Sequence, residues 1–468
     1  MRLTPGTLAA PPVSGVAHAP TEAEAIVAPM THGPSEPSPP LFRPLHGSAR
    51  SMSEEEIADH QRARLFLSMI AAVAHEGYAS VRITEVTRLA AVSNSTFYAH
   101  FSSKEECFFA TCEEIVSVGA DRVSIAYEEA GGDWRNRIRA GFSVFLATLA
   151  EEPDAARLVL VDSLALGPRG VEQRRKAMDP FEDVLRRSLA ESPASGRMAD
   201  TTMHAIIAGT LQLVYRMLRH GQADQLEGLT DTLVDWVVTY QTAAAVAPLP
   251  EPSTAEPDAP RPSSPLDDPE TRFTLPPRAR IELAITMLVE RGGYQALSMP
   301  AISGLAAVSN QTFYKHFSGK EDAFLATFDE ITEGARKAAA IPFEAAPDWP
   351  SAVCDGLDAL LEFLGRESLM APLPLMGIYT GPPAALDRAD AILDLFRLFF
   401  LPAIEQAPET GALTADAIAG GLWHLIQEHV ADDHRRPLHT LAPQLAYLAL
   451  VPFLGAQETV EAIERMQR

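Results

Sequence analysis

Residues 62–115 recur at 278–331, displaced by 216 positions without a gap, and about half of the aligned pairs are identical. The densest stretch sets Leu89-Ala-Ala-Val-Ser-Asn94 on Leu305-Ala-Ala-Val-Ser-Asn310. It continues as Thr96-Phe97-Tyr98 on Thr312-Phe313-Tyr314 and His100-Phe101-Ser102 on His316-Phe317-Ser318. Fainter echoes follow downstream. Asp133-Trp134 reappears as Asp348-Trp349, Gly167-Pro168 as Gly381-Pro382, and Ala205-Ile206 with Gly209 as Ala417-Ile418 with Gly421. A repeat of this length is a structural unit rather than a single motif. The chain must therefore build the same fold twice.

Proline marks where the units begin and end. Of 37 prolines, ten lie in 1–50 and ten in 246–277. The first stretch has no apolar period and reads as a disordered leader over 1–52. The second carries six acids and two bases and reads as an extended, self-repelling linker over 246–277. Between and after them the pattern is helical. Leu65, Met69, Ile70 and Val73 form one stripe, and Ile281, Ile285, Leu288 and Val289 another. Gly77 and Gly292-Gly293 stand where those helices would stop. The run Leu158-Val-Leu-Val161 has no strand partners nearby and reads as buried helix. The expected fold class is all-α.

Composition removes several functions. Three cysteines among 468 residues cannot form a disulfide framework, and they point to a reducing, cytoplasmic setting. No apolar run approaches the ~20 residues of a membrane span. The net charge of −24 argues against a nonspecific polybasic coat for nucleic acid. It leaves room for a DNA-reading module, because that needs only local positive charge. Phosphate-binding glycine loops, a G-x-S-x-G elbow and H-E-x-x-H are all missing, so no enzyme, cofactor or metal is implied.

Each repeat opens with an amphipathic helix (62–76 in the first), a short helix (83–90), a tight turn (91–92) and a second short helix (93–100). That is a helix-turn-helix, whose second member fits a major groove about 12 Å wide. Val86, Leu89, Val92 and Phe97 should fix the angle between the short helices. Ile302, Leu305, Val308 and Phe313 should do the same in the second copy. Ser93, Asn94, Ser95 and Thr96, with Ser309, Asn310, Gln311 and Thr312, are the small polar residues left to meet DNA. Asn94 and Gln311 are of a type that bonds adenine bidentately. Windows 93–104 and 309–320 contain no acid. They hold His100 and Lys104, and Lys315, His316 and Lys320, while Tyr98 and Tyr314 can donate a hydroxyl to phosphate. His100 is weighed between packing on the neighbouring helix and a DNA contact.

The pattern Ala-Ala-Val-Ser-Asn-x-Thr-Phe-Tyr-x-His-Phe-Ser-x-Lys-Glu, present twice, resembles the N-terminal module of the TetR family of transcriptional regulators. The resemblance covers about 110 residues. It implies two TetR-like helical units, each an N-terminal three-helix module followed by a C-terminal helical ligand and dimerisation domain. The corresponding boundaries are 56–116 and 117–245, then 274–334 and 335–468. It also implies a ligand-responsive repressor of a double-stranded DNA operator. By similarity, the DNA contacts fall on Arg82, Thr84, Ser93 to Thr96, Tyr98, His100 and Lys104, and on Ser298, Ser309 to Thr312, Tyr314, Lys315, His316 and Lys320. Two departures stand out. The family turn usually has Gly where this chain has Ala91 and Ala307, and a left-handed backbone there costs an L-residue roughly 1–2 kcal/mol. The first short helix usually starts on Ser or Thr. Ser298 fits, but Arg82 forgoes a cap worth about 1 kcal/mol.

Other residues have plainer readings. His424 and His429 are five apart and do not share a helix face, so they make no metal pair. Cys107 and Cys112 read as buried small hydrophobes, and Trp134 and Trp349 as anchors of a helix start. Met376, Tyr379, Phe396 and Phe399 are candidates to line an apolar cavity for a small-molecule effector, against a simple core role. Two modules in one chain suggest an intrachain pseudo-dimer pairing 203–218 and 229–243 with 415–429 and 441–454. The competing arrangement is a homodimer. Ser95 opposite Gln311 and Ala99 opposite Lys315 predict unequal half-sites. The alternative function is a ligand-sensing or protein-interaction protein in which one or both modules have lapsed.

Overall fold

The computed structural model describes residues 53–192, 198–250, 263–268, 272–406, 408–431 and 437–466. The expected leader lies outside them, as do 251–262 and 269–271 of the linker. The described residues contain helices and no strand. No helix among them is long and apolar enough to cross a membrane.

The first copy begins with α1 (Glu54–Glu76), α2 (Ile83–Leu89), α3 (Asn94–His100) and α4 (Lys104–Glu129). Helix α1 starts eight residues earlier than the apolar stripe suggests. Ser53 accepts from the Glu56 amide while the Glu56 side chain accepts from the Ser53 amide, and this capping box fixes the start. Gly77, at φ 72°, ends it. There follow α5 (Trp134–Glu151), α6 (Pro153–Leu160), α7 (Pro168–Lys176), α8 (Asp179–Ala190), α9 (Asp200–Arg219) and α10 (Thr230–Val246). The run 158–161 is buried and ends α6 as expected.

The second copy repeats the plan. Its module is α11 (Pro277–Gly292), α12 (Met299–Ala306), α13 (Asn310–Phe313) and α14 (Lys320–Ala345). The rest is α15 (Trp349–Arg366), α16 (Pro372–Leu375), α17 (Pro383–Leu398), α18 (Leu401–Gln406), α19 (Pro408–Ala431), α20 (Ala442–Leu454) and α21 (Ala456–Met466). Trp134 and Trp349 each open a helix capped by the preceding aspartate, Asp133 and Asp348. Cys107, Cys112 and Cys354 are buried. Burial pushes the thiols of Cys107 and Cys354 up to about 12, which leaves them unreactive.

The copies pack on each other through α9 and α19. Both helices bury small residues at the contact: Ala205, Ala208 and Gly209 on one, and Ala417, Gly420 and Gly421 on the other. Helices α10 and α20 add to it. The Tyr240 hydroxyl donates to the Leu448 carbonyl, and the Tyr447 hydroxyl to the Ala247 carbonyl at 2.8 Å. Beyond the crossing, Arg216 reaches Asp394 at 2.6 Å and Arg219 reaches Asp390 at 2.8 Å. Within the described part of the linker, Ser264 and Leu266 are buried. Leu266 is fully buried, and its carbonyl accepts from the Arg272 guanidinium.

Candidate nucleic-acid interface

Each module rests on the same small set of contacts, repeated at the displacement of 216. Val86 and Phe97, and Ile302 and Phe313, are fully buried and hold the short helices together. Leu89 does not join them. It is 42% exposed, because Ala90, the residue that caps α2, takes the inward place in line with Val86 and Thr87. Val92, Leu305 and Val308 are half-buried.

The turns are left-handed despite lacking glycine. Ala91 has φ 47° and Ala307 φ 50°. An arginine supports each turn. Arg64 donates to the Ala91 carbonyl at 2.9 Å, and its counterpart Arg280 donates to the carbonyls of Ala306 and Ala307 at 3.0 and 3.1 Å. These carbonyls end the helix and have no intrahelical donor, so a cation suits them. As expected, Arg82 makes no cap, whereas the Ser298 hydroxyl accepts from the Ala301 amide.

The reading helices are capped alike. The Ser93 hydroxyl accepts from the Thr96 amide at 3.0 Å, and that of Ser309 from the Thr312 amide at 3.1 Å. Asn94 and Asn310 are exposed, but each is anchored through its side-chain oxygen. Thr87 donates to Asn94 at 2.9 Å and Ser303 to Asn310 at 3.1 Å. The bond to Thr87 uses one of the two lone pairs of the Asn94 oxygen and leaves the other, with the amide NH2, for a partner outside. Ser95 and Gln311 are exposed, and Thr96 and Thr312 half-buried. Tyr98 and Tyr314 are 58% and 57% exposed. In each copy the tyrosine packs edge-on to the buried phenylalanine beside it, with ring centroids 5.5 Å apart.

The copies diverge toward the end of this helix. In the first, α3 runs to His100, whose Nε2 lies 3.2 Å from the Gln61 side-chain oxygen. In the second, the α-helix spans only Asn310–Phe313. Lys315 and His316 then close with i→i+3 bonds, a tighter last turn. Both side chains are exposed there. Arg82, Thr84 and Ser298 are exposed at the start of the first short helix.

Lys104 and Lys320, expected to meet the phosphate backbone, make bonds within the protein. The Lys104 ammonium donates to the carbonyls of Tyr78 and Val81 at 2.8 and 2.9 Å and lies 4.2 Å from the centre of the Tyr78 ring. Lys320 donates to the Leu297 carbonyl at 3.2 Å and lies 4.6 Å from the Tyr294 ring centre. Partial burial lowers the Lys104 pKa. These lysines fasten the loop ahead of the first short helix to the start of α4 and α14. The residues missed from sequence are thus Arg64, Arg280, Tyr78, Tyr294, Thr87 and Ser303. The identity of Arg64 with Arg280 and of Tyr78 with Tyr294 across the repeat was the available signal.

A cavity of about 700 Å³ lies between the copies and touches α11 of the second module at Val289 and Glu290. Met376 and Tyr379 line it, with Arg174, Gln212, Trp423 and Gln427. Phe396 and Phe399 do not. Phe396 is buried against Trp423, and the half-buried Phe399 packs on Phe343. Arg174 donates to the Gln212 side-chain oxygen at 2.9 Å and stacks on Tyr215. The Gln212 amide nitrogen is buried without a partner among the described residues. His424 and His429 form no pair. His424 instead meets His204 across the copy boundary and Glu428 one turn along its own helix, and Glu428 also reaches His204.

The sequence profile of the bacterial regulatory proteins of the tetR family matches the chain at two places, residues 70–111 and 283–327. Among curated protein sequences none matches. Several solved structures resemble part of the chain. The regulator FadR from Bacillus subtilis, solved with stearoyl-CoA, is 16% identical, with a TM-score of 0.35 over 37% of this chain and 96% of its own. A TetR family regulator from Marinobacter aquaeolei VT8 is 15% identical, with a TM-score of 0.32 over 39% and 97%. A regulator from Rhodococcus sp. Rha1 is 22% identical, with a TM-score of 0.31 over 38% and 95%.

Proposed function

From a chain that belongs to the TetR family, with the family's DNA-binding module present twice, we propose a ligand-responsive repressor whose two units pair within one polypeptide. One observation carries this reading. The same supporting contacts recur at a displacement of 216, and both reading helices leave their polar residues exposed. A lapsed module would have no reason to keep an arginine on its turn and a hydroxyl on its asparagine.

The DNA contacts in this reading fall on Ser93, Asn94, Ser95, Thr96, Tyr98 and His100, and on Ser309, Asn310, Gln311, Thr312, Tyr314, Lys315 and His316. Arg82, Thr84 and Ser298 flank them. Lys104 and Lys320 act as positioning residues. Ser95 against Gln311 and Ala99 against Lys315 give the two readers different donors, so the operator has unequal half-sites. The modules occupy 56–116 and 274–334, and the regulatory domains 117–245 and 335–468.

Pairing inside the chain is supported by α9 on α19 and α10 on α20. The tether raises the effective concentration of one copy around the other to the millimolar order. The effector would enter the cavity between the copies, where the Arg174 cation and the unpartnered Gln212 amide suit an anionic or carbonyl-bearing small molecule. Binding there would favour one spacing of the modules over another.

The test is selection of bound duplexes from a random pool, followed by light scattering on the purified complex. The expected result is one asymmetric site bound by one chain. A symmetric palindrome bound at a mass of about twice 50.6 kDa would replace the intrachain pairing with a homodimer. Failure to enrich any duplex would leave the sensor or interaction reading in its place.

A further inference from the structure

Helices α9 and α19 are related by a displacement of 212, which aligns Ala205 with Ala417 and Gly209 with Gly421. The same displacement aligns His204 with Asp416, Gln212 with His424 and Arg216 with Glu428. In a dimer of identical chains, both ends of such a crossing would carry the same side chains. Here the ends have diverged. At one end, Arg216 of the first copy faces Asp416 of the second at 3.9 Å, an ion pair. At the other end, the equivalent positions hold His204 and Glu428, with His424 beside them.

The geometry of that second end is that of a ligand set. The Nε2 atoms of His204 and His424 are 3.1 Å apart, and the nearer Glu428 oxygen lies 2.9 Å from one and 3.7 Å from the other. Four ligands about 2.0–2.1 Å from a tetrahedral ion are separated by roughly 3.4 Å. The three observed edges bracket that value, so an ion fits after small side-chain adjustments. We propose that His204, His424 and Glu428 bind a divalent transition-metal ion of the zinc class, which clamps the two copies together at the crossing.

Three further features support the assignment. The Glu182 carboxylate sits against Nδ1 of His204, the carboxylate–histidine arrangement that turns Nε2 toward a metal and makes it a better ligand. Glu182 and Glu428 together supply two negative charges for a doubly charged ion. Access is available. His204 and Glu428 border a cleft of about 390 Å³, and His424 and Glu428 border the larger cavity between the copies. A water, or a donor from a bound molecule, can therefore complete the coordination. Two imidazoles and one carboxylate are too few oxygens for calcium or magnesium and lack the thiolate of a copper(I) site. Without an ion, a proton holds the cluster. Burial disfavours the imidazolium, but Glu182 and Glu428 outweigh it and raise His204 to about 9.

The experiment is titration of the full chain, stripped of metal, with Co²⁺ in the visible region, followed by competition with Zn²⁺. The expected result is one equivalent of Co²⁺ per chain, giving the absorption of a four-coordinate ion that Zn²⁺ abolishes. His204→Gln, from one copy, and His424→Gln, from the other, should each weaken binding at least tenfold. Glu182→Gln should weaken it about tenfold to a hundredfold, and His429→Gln should leave it unchanged. Circular dichroism checks that each variant folds, and if one does not, the other histidine variant decides. Absence of the band in the wild-type chain, or its persistence in either folded histidine variant, overturns the site and leaves a protonated histidine between two carboxylates. None of these readouts uses DNA, so failure here would not touch the proposed regulatory function.

Discussion

Gly209 of the first copy lies directly on the backbone carbonyl of Ala417 in the second, so close that a Cβ on Gly209 would overlap its oxygen. The reciprocal contact is also present. A Cβ on Gly421 would come within 2.6 Å of the carbonyl oxygen of Ala205. Neither glycine has a positive φ, so each is needed for the closeness of the backbones and not for a turn.

Gly209→Ala therefore tests the pairing. The added methyl meets the Ala417 carbonyl and the Trp236 ring, and neither can move without opening the crossing. Forced overpacking of this kind costs on the order of 1–3 kcal/mol. Urea unfolding should show that loss for Gly209→Ala and a similar one for Gly421→Ala. A neutral result for both would mean that the copies do not cross here in solution.

The alanine turns should respond in the opposite sense. Ala91 and Ala307 hold left-handed backbone at roughly 1–2 kcal/mol each. Glycine relieves that strain but loosens the unfolded chain by about 0.4–1 kcal/mol. Ala91→Gly and Ala307→Gly should each stabilise by up to about 1 kcal/mol and leave DNA affinity unchanged. Destabilisation by both would show that the left-handed turn costs alanine less than the freedom glycine adds to the unfolded chain.

The lysines of the second module should separate into two roles. Lys315 is exposed on the reading helix, so Lys315→Ala should weaken binding to every duplex and lower the salt slope by about one. Lys320 is tied to the Leu297 carbonyl and the Tyr294 ring. Lys320→Ala should lower the melting temperature and leave the salt slope in place. Identical salt slopes for Lys315→Ala and the wild-type chain would remove Lys315 from the phosphate contacts.

The sequence made the modules legible because their information is local. Helix periods, caps and the repeat place Phe97, Phe313, Tyr98 and Tyr314 within a few residues of their partners. The internal bonds of Lys104 and Lys320 are not legible there for the same reason. A lysine at a helix start looks like a phosphate ligand until the carbonyls of Tyr78 and Leu297, more than twenty residues away, are placed beside it. Phe396 and Phe399 have the composition of a pocket, and only the fold shows them packed on Trp423 and Phe343 instead. His204 and His424 are 220 residues apart. No periodicity relates them, since the crossing of two copies, rather than any segment, brings them together.

Asp162 offers a test through pH. It begins a 3₁₀ turn, Asp162–Leu166, which packs against Gly377–Thr380 of the second copy. Burial raises its pKa to about 6, against partial relief from Arg157, whose Nε lies 3.8 Å away. A raised carboxylate pKa means that the folded state holds the proton more tightly than the unfolded one. The charged form is thus a penalty, fully present above about pH 6 and gone below the unfolded value near 3.8. Two pKa units set a ceiling near 3 kcal/mol. Asp162→Asn keeps the shape and removes the charge. It should be more stable than the wild-type chain at pH 7.5, by on the order of 1–3 kcal/mol, with the gap narrowing by pH 4.5. Urea midpoints at the two pH values measure this directly. A gap that does not change with pH would mean that the carboxylate is solvated, and that the turn between the copies is open to water.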